Sequence, residues 1–185
     1  MKIRDAVSAD AAGIARVRVD TWRQAYAGMM PEDYLSNLSY EETKHRLLES
    51  YLPPRSSEQF MIVAVDEQET IIGYTIGGPN RDENSEYQGE IYSIYILPGY
   101  QHFGTGASLL KGAVERLIER KIQSMIIWVV AQNPARGFYE ALGGKIVNFR
   151  DRQKSSFILA EVAYGWKDFK LFLKMRTTPD KAVKQ

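Results

Sequence analysis

The stretch that decides the fold is Pro98-Gly99-Tyr100-Gln101-His102-Phe103-Gly104-Thr105-Gly106-Ala107. Before it stands the β-rich run Ile91 to Leu97 (IYSIYIL), closed by Pro98. After it, Leu109, Leu110, Ala113, Val114, Leu117 and Ile118 fall on one helical face. A strand therefore feeds through a glycine-containing loop into the N-terminus of an amphipathic helix. The first turn of any helix leaves N–H groups without intrahelical partners and carries about half a positive charge. Glycine lets a ligand come close to such a main chain, so the junction reads as an anion site, above all for phosphate. The same glycines also serve as a plain helix cap, and this segment by itself does not choose between the two. It is not a Walker loop, because Thr105 stands where lysine is needed. Nor is it a dinucleotide fingerprint, which needs glycine at Leu109.

Working outward, Met125 to Val130 (MIIWVV) has no polar alternation, as expected of a strand covered on both faces. Asn133-Pro134-Ala135-Arg136-Gly137-Phe138-Tyr139 follows at its C-terminal end, where ligands gather in open α/β sheets, and opens a helix with Phe138, Ala141 and Leu142 inward. Locally, Asn133 reads as a helix cap and Tyr139 as a packing residue. Upstream, Glu90 begins the IYSIYIL strand, and period-two counting puts it on one face with Tyr92, Ile94 and Ile96. A carboxylate among apolar neighbours can have its pKa raised and become a base; alone, Glu90 reads as a strand-end charge.

The rest of the chain predicts a strand in Met1 to Val7, then a helix capped by Ser8 or Asp10 that carries Ile14, Val17, Trp22 and Ala25. A second helix follows from about Tyr40 to Tyr51, then a loop at Pro53 to Ser57. Strands are expected at Phe60 to Val65 and Thr70 to Ile76, a polar loop at Gly77 to Gly89, and strands at about Lys145 to Arg150 and Phe157 to Tyr164. The order predicts one α/β domain over 1–176 with a mixed sheet, followed by a polar tail over 177–185.

Composition narrows the function. The 185 residues are 44% hydrophobic and 25% charged, an ordinary globular balance. Lys plus Arg is 24 and Asp plus Glu 23, so the excess of positive charge that nucleic-acid binding needs is missing. Cysteine is absent, which removes thiol nucleophiles, disulfides and cysteine metal sites. His45 and His102 are far apart and form no HExxH pattern, so no metal is expected. No G-x-S-x-G elbow supports a serine hydrolase. Without a signal-like start in MKIRDAVSAD or an apolar run of ~20 residues, a cytoplasmic protein without a membrane segment is expected.

Gln101-x-x-Gly104-x-Gly106 and Asn133 through Tyr139 together resemble the two signatures of the GNAT N-acetyltransferase superfamily, Q/R-x-x-G-x-G/A and N-x-x-A/R-x-x-F-Y, with one helix and one strand between them. The resemblance implies a mixed, mostly antiparallel central sheet flanked by helices, with the Ile91 and Met125 strands splayed at a bulge. It implies acetyl-coenzyme A as donor and no metal. The main chain of His102, Phe103, Gly104, Thr105, Gly106 and Ala107 would take the pyrophosphate, with Gln101 also among the cofactor-binding residues. The edge Ile94-Tyr95-Ile96 would pair with the pantetheine arm, and Asn133 and Arg136 would also contact the cofactor. Glu90 would deprotonate the amine, a main-chain N–H near Ile94 would polarise the acetyl carbonyl, and Tyr139 would protonate the departing thiolate.

Trp22, Tyr26 and Tyr92 would wall the acceptor pocket with Tyr34 and the acidic loop Arg81 to Glu86. Rings beside carboxylates suit a cationic amine of polyamine type. A protein or peptide amine and a non-catalytic acyl-CoA sensor are the alternatives. Where family loops often carry basic residues, this chain has His102 and Phe103, so the main chain must contribute more of the anion binding. A homodimer through a Phe157 to Tyr164 sheet edge is a further expectation.

Overall fold

The apolar runs become seven strands of one sheet: β1 (Lys2–Asp5), β2 (Phe60–Val65), β3 (Ile71–Pro79), β4 (Gly89–Ile96), β5 (Met125–Val130), β6 (Lys145–Lys154) and β7 (Phe157–Trp166). The computed structural model describes residues 1–52, 58–154 and 156–174; the expected loop at Pro53 to Ser57 and the polar tail lie outside them. The sheet order is β1-β2-β3-β4-β5-β7-β6. Only β4 and β5 run parallel; every other neighbouring pair is antiparallel.

Helices cover both faces, which is why β2 is buried at every residue and shows no polar alternation. On one face α1 (Ala11–Ala25) and α3 (Tyr40–Ser50) bring Ile14, Val17 and Leu47 onto Val63, Tyr74 and Ile76. On the other, α4 (Thr105–Glu119) sets Leu109, Leu110, Ala113 and Leu117 against Ile62, Ile72 and Ile127. Two short helices, α2 (Glu32–Ser36) and α6 (Lys170–Lys174), were not foreseeable by periodicity, since five residues hold little more than one turn. At α5 (Arg136–Ala141) the expected Phe138 and Leu142 do pack against the core, half-buried, but Ala141 is exposed and the fully buried residue is Tyr139.

Three further expectations are corrected. The Gly77 to Gly89 segment is strand at both ends, because β3 runs on to Pro79 and β4 starts at Gly89. Gly77 belongs inside the sheet for want of room: a Cβ there would lie 2.6 Å from Phe60 Cζ. Secondly, β7 is paired on both sides from Glu161 to Tyr164, by β5 and β6, so most of the expected edge lies inside the sheet, and β6 holds the edge position instead; Phe157 to Leu159 pair with β6 alone. A strand's place in a sheet follows from its partners, which its own residues do not name. Thirdly, Ile76 faces Ser93 while Gly77 faces Ile91, leaving Tyr92 as an extra residue in β4. That bulge reverses the alternation. Ile91, Ile94 and Ile96 lie toward α4, and Tyr92 and Tyr95 toward α1 and α3, so Glu90 does not share a face with Ile94 and Ile96.

Candidate active site

The bulge also ends a pairing. β4 and β5 are matched at Gly89–Met125, Glu90–Ile126 and Ile91–Ile127 and no further. From Tyr92 onward β4 leaves β5, and a wedge opens between Tyr92–Ile96 and Trp128–Val130. Main-chain groups on that side of β4 have no partner on β5, and an extended, amide-bearing ligand can supply one.

Beyond the wedge the chain passes a 3-10 turn at Pro98–Tyr100 and enters α4. Gly104, with φ +85, precedes the helix in the left-handed region that favours glycine, and nothing lies within 4 Å of where its Cβ would stand. No side chain caps this terminus and its first turn holds no acidic residue. The first helical bond runs from Ser108 N–H to the Gly104 carbonyl, at 3.0 Å. The N–H groups of Thr105, Gly106 and Ala107 therefore point out of the helix end as donors. Gly106 has its own reason: a Cβ would meet Phe138 Cζ at 3.2 Å and Ile96 Cδ1 at 3.4 Å, so glycine lets α4 approach both. His102 also has positive φ, and Phe103 is 74% exposed. The Gln101 amide donates to the Ile96 carbonyl at 3.0 Å, tying the loop to the end of β4.

At the C-terminal end of β5, the Asn133 side-chain oxygen accepts from Ala135 N–H at 2.8 Å and closes a turn ahead of α5; the cap position is Ala135, with no side-chain bond, so the local reading of Asn133 as the helix cap is corrected. Arg136 donates to the Tyr164 hydroxyl at 3.0 Å and the Ala131 carbonyl at 2.9 Å, bracing α5 on the sheet. Tyr139 is 6% exposed, with ring centroids of Phe138 at 5.3 Å and Tyr164 at 5.7 Å. Burial, and then the nearby Tyr95 hydroxyl, push its phenol well above the ordinary value, so it keeps its proton at any neutral pH. Tyr26 and Tyr95 hydroxyls lie 3.4 Å apart, and both are likewise pushed up by burial.

Glu90 is 3% exposed. Its Oε2 accepts from Arg81 Nε at 2.9 Å and Arg81 N at 3.3 Å, and its Oε1 accepts from a second guanidinium nitrogen of Arg81. Arg81 also stacks 4.6 Å from the Tyr92 ring centroid. The Tyr92 hydroxyl donates to the Pro79 carbonyl at 2.6 Å, and its pKa is pushed up to about 12 by burial and then by Glu90. The apolar surroundings expected for Glu90 are thus replaced by an ion pair.

Trp22 packs edge-on to Tyr26 at 5.1 Å and lies 6.2 Å from Tyr95. The charges beside it are positive, Arg18 at 5.0 Å and Lys154 at 5.6 Å from its ring. The carboxylates of the acidic loop are elsewhere, Asp82 and Glu86 lining a groove with Tyr87, Trp128 and Lys167. Sequence reasoning missed Arg18, Lys154 and the clamp by Arg81. Arg18 stands one helical turn before Trp22, a legible i,i+4 relation; the other two meet their partners only through the folded sheet.

Among the described residues no group of three or more His, Asp or Glu side chains could hold a metal, and no helix is long and apolar enough to cross a membrane.

Comparison with known proteins agrees with this geometry. Residues 19–144 match the Acetyltransferase (GNAT) family. The chain is 36% identical over 166 residues to YuaI, an uncharacterized N-acetyltransferase of Bacillus subtilis (strain 168), covering 90% of this chain and 92% of that one. It is 24% identical over 161 residues to a spermidine N(1)-acetyltransferase of Thermoplasma acidophilum, covering 86% and 95%. The crystal structure of an N-acetyltransferase of Thermoplasma acidophilum in complex with coenzyme A superposes with a TM-score of 0.65 at 21% identity, over 89% of this chain and 98% of that one. An open wedge between two parallel strands, an uncapped glycine-led helix and a family match over most of the sequence lead to one conclusion: this chain belongs to the GNAT family of N-acetyltransferases.

Proposed function

We propose that the protein moves the acetyl group of acetyl-coenzyme A to the primary amine of a small molecule, by direct attack within a ternary complex. The observation that carries this reading is the parting of β4 and β5 after three paired residues, next to a helix end with free donors. The donor set fits the cofactor: N–H groups at Thr105 to Ala107, and those leading in from His102, take the pyrophosphate without fixed cations. The edge at Ile94 to Ile96 takes the pantetheine amides, and the Asn133 side-chain nitrogen, which the turn to Ala135 does not use, donates beside them. Gln101 and Arg136 act by holding the loop and α5 in place, given the bonds they already make. When bound, acetyl-coenzyme A supplies the thioester whose carbonyl the amine attacks.

The chain's own residues handle protons and charge. An amine with a lysine-like pKa of ~10.4 costs about 4.6 kcal/mol to present neutral at pH 7. Each carboxylate oxygen has two lone pairs, and Arg81 uses three of the four on Glu90. The lone pair left on Oε1 can hold one water, so Glu90 takes the amine proton through that water. A main-chain N–H near Ile94 faces the developing oxyanion. Tyr139 donates to the departing sulfur. A thiol has a pKa of ~8.5, below that of a phenol raised above ~10, so Tyr139 keeps its proton and stabilises the thiolate by a hydrogen bond, and the thiolate takes its proton from solvent as it leaves.

A small acceptor is favoured by the hairpin tip. Phe157 packs edge-on to Tyr34 at 5.1 Å, and Lys154 lies over the Trp22 and Tyr34 rings, so β6 and β7 close over the Trp22 corner. The test is release of coenzyme A thiol with a panel of primary amines. Turnover is expected with at least one small amine; turnover only with peptides overturns the small-acceptor reading.

A further inference from the structure

We propose that the acceptor carries a carboxylate as well as its amine, and that Arg18 and Lys154 bind that carboxylate beside Trp22. The proposal rests on the acetyltransferase reading and names its substrate class.

Across this protein, arginines near the sheet find carboxylates: Arg4 with Asp10, Arg81 with Glu90, Arg116 with Asp5. Two cations at the Trp22 corner do not. Arg18 is half-buried with its guanidinium carbon 5.0 Å from the Trp22 ring, and Lys154 Nζ lies 5.6 Å from that ring and 5.9 Å from Tyr34. Among the described residues neither forms an ion pair. The strand pattern explains the surplus. β6 carries Arg150, Arg152 and Lys154 at every second residue, hence on one face, and β7 offers that face a single carboxylate, Glu161. Arg150 and Arg152 share Glu161 at 2.7 and 3.5 Å, which leaves Lys154 over. Two carboxylates on the elements that carry Trp22 and Tyr95 are engaged elsewhere, Glu90 by Arg81 and Asp20 by the Tyr40 hydroxyl at 2.6 Å.

Neutral donors share the surplus. Trp22 Nε1 is buried and makes no well-formed hydrogen bond among the described residues, nor do the hydroxyls of Tyr74 and Ser93; their polar neighbours are one another, Arg18 and Tyr95, with no carboxylate among them. Arg18 faces the hydroxyls of Tyr74 and Tyr95, dipoles that favour its charged form but bring no counter-charge. Withdrawing charge from water without a counter-ion is costly, and an anionic ligand recovers that cost. The subsite adjoins the chemistry, because Trp22 packs on Tyr95, a residue of β4 beyond the bulge. A molecule holding its carboxylate at Trp22 can thus extend its amine toward the wedge. A polyamine would meet like charge there.

The experiment compares free α-amino acids, their α-amides and spermidine as acceptors, reading thiol release, with a calorimetric titration of coenzyme A on the same samples. The best free acid is expected to exceed its amide in kcat/KM by about 30-fold, the size of one charge-assisted hydrogen bond. Arg18→Gln and Lys154→Met should each bring that ratio to within about threefold of unity, and Arg18→Lys, which keeps the charge but loses the planar fork, should fall between these variants and the parent. Three results overturn the proposal: an amide or spermidine performing as well as the free acids, a ratio unmoved in both variants, or coenzyme A binding with no turnover of any free acid. Failure to bind coenzyme A overturns the acetyltransferase reading itself.

Discussion

Glu90 is held by Arg81, which lies across the β3–β4 hairpin and folds its side chain back over the strand start. The clamp sets the carboxylate's direction and leaves it one lone pair, so its chemistry and its packing are separable by substitution. Glu90→Gln is expected to lower kcat/KM by about 100-fold, the lower end of general-base catalysis, and to change the pH profile. Arg81→Met keeps the carboxylate and should cost far less. Equal losses in both variants would make Glu90 a positioning residue only. The raised Tyr139 phenol bears on the sign of the profile: its proton stays on through pH ~10, so activity should climb with pH as the amine deprotonates, with no downturn from Tyr139. The sequence marked Glu90 by its place at a strand start. It did not mark Arg81, because a loop arginine among acidic residues reads as solvated until the hairpin closes.

At the scale of elements, α4 and the bulge of β4 define the site, and they differ in legibility. The glycines ahead of α4 were readable because backbone geometry demands them: Gly104 sits at φ +85, where a side chain costs about 1 kcal/mol or more. Gly104→Ala is therefore expected to lose about that much stability in urea unfolding. It should also weaken coenzyme A about tenfold in titration, by turning the N–H groups of the first helical turn. A variant with unchanged affinity would separate this loop from phosphate binding. The bulge left no such trace. IYSIYIL alternates plausibly through Tyr92, and the extra residue exists only relative to Ile76 and Gly77 on β3. Counting by twos from Glu90 hence gave the wrong face for Ile94 and Ile96.

Taken whole, the molecule is a seven-stranded sheet opened along one seam, and a ligand in that seam ties its two halves together. Coenzyme A at a hundred times its Kd should add about 2.7 kcal/mol to stability, which raises Tm by about 5–10 °C in a domain of this size. A melt insensitive to coenzyme A would mean that the seam is not its site. By itself the sequence determined the number and order of strands, the two long helices flanking the sheet and the glycine-led turn, because these follow from local periodicity and backbone sterics. The tertiary structure alone decided where β4 leaves β5, that β7 lies inside the sheet, that Arg81 takes Glu90, and that Arg18 and Lys154 meet at Trp22 without a counter-ion. Each of these is a relation between residues distant in the chain, and pairing of that kind is set by the competition among all possible partners, which no single segment encodes.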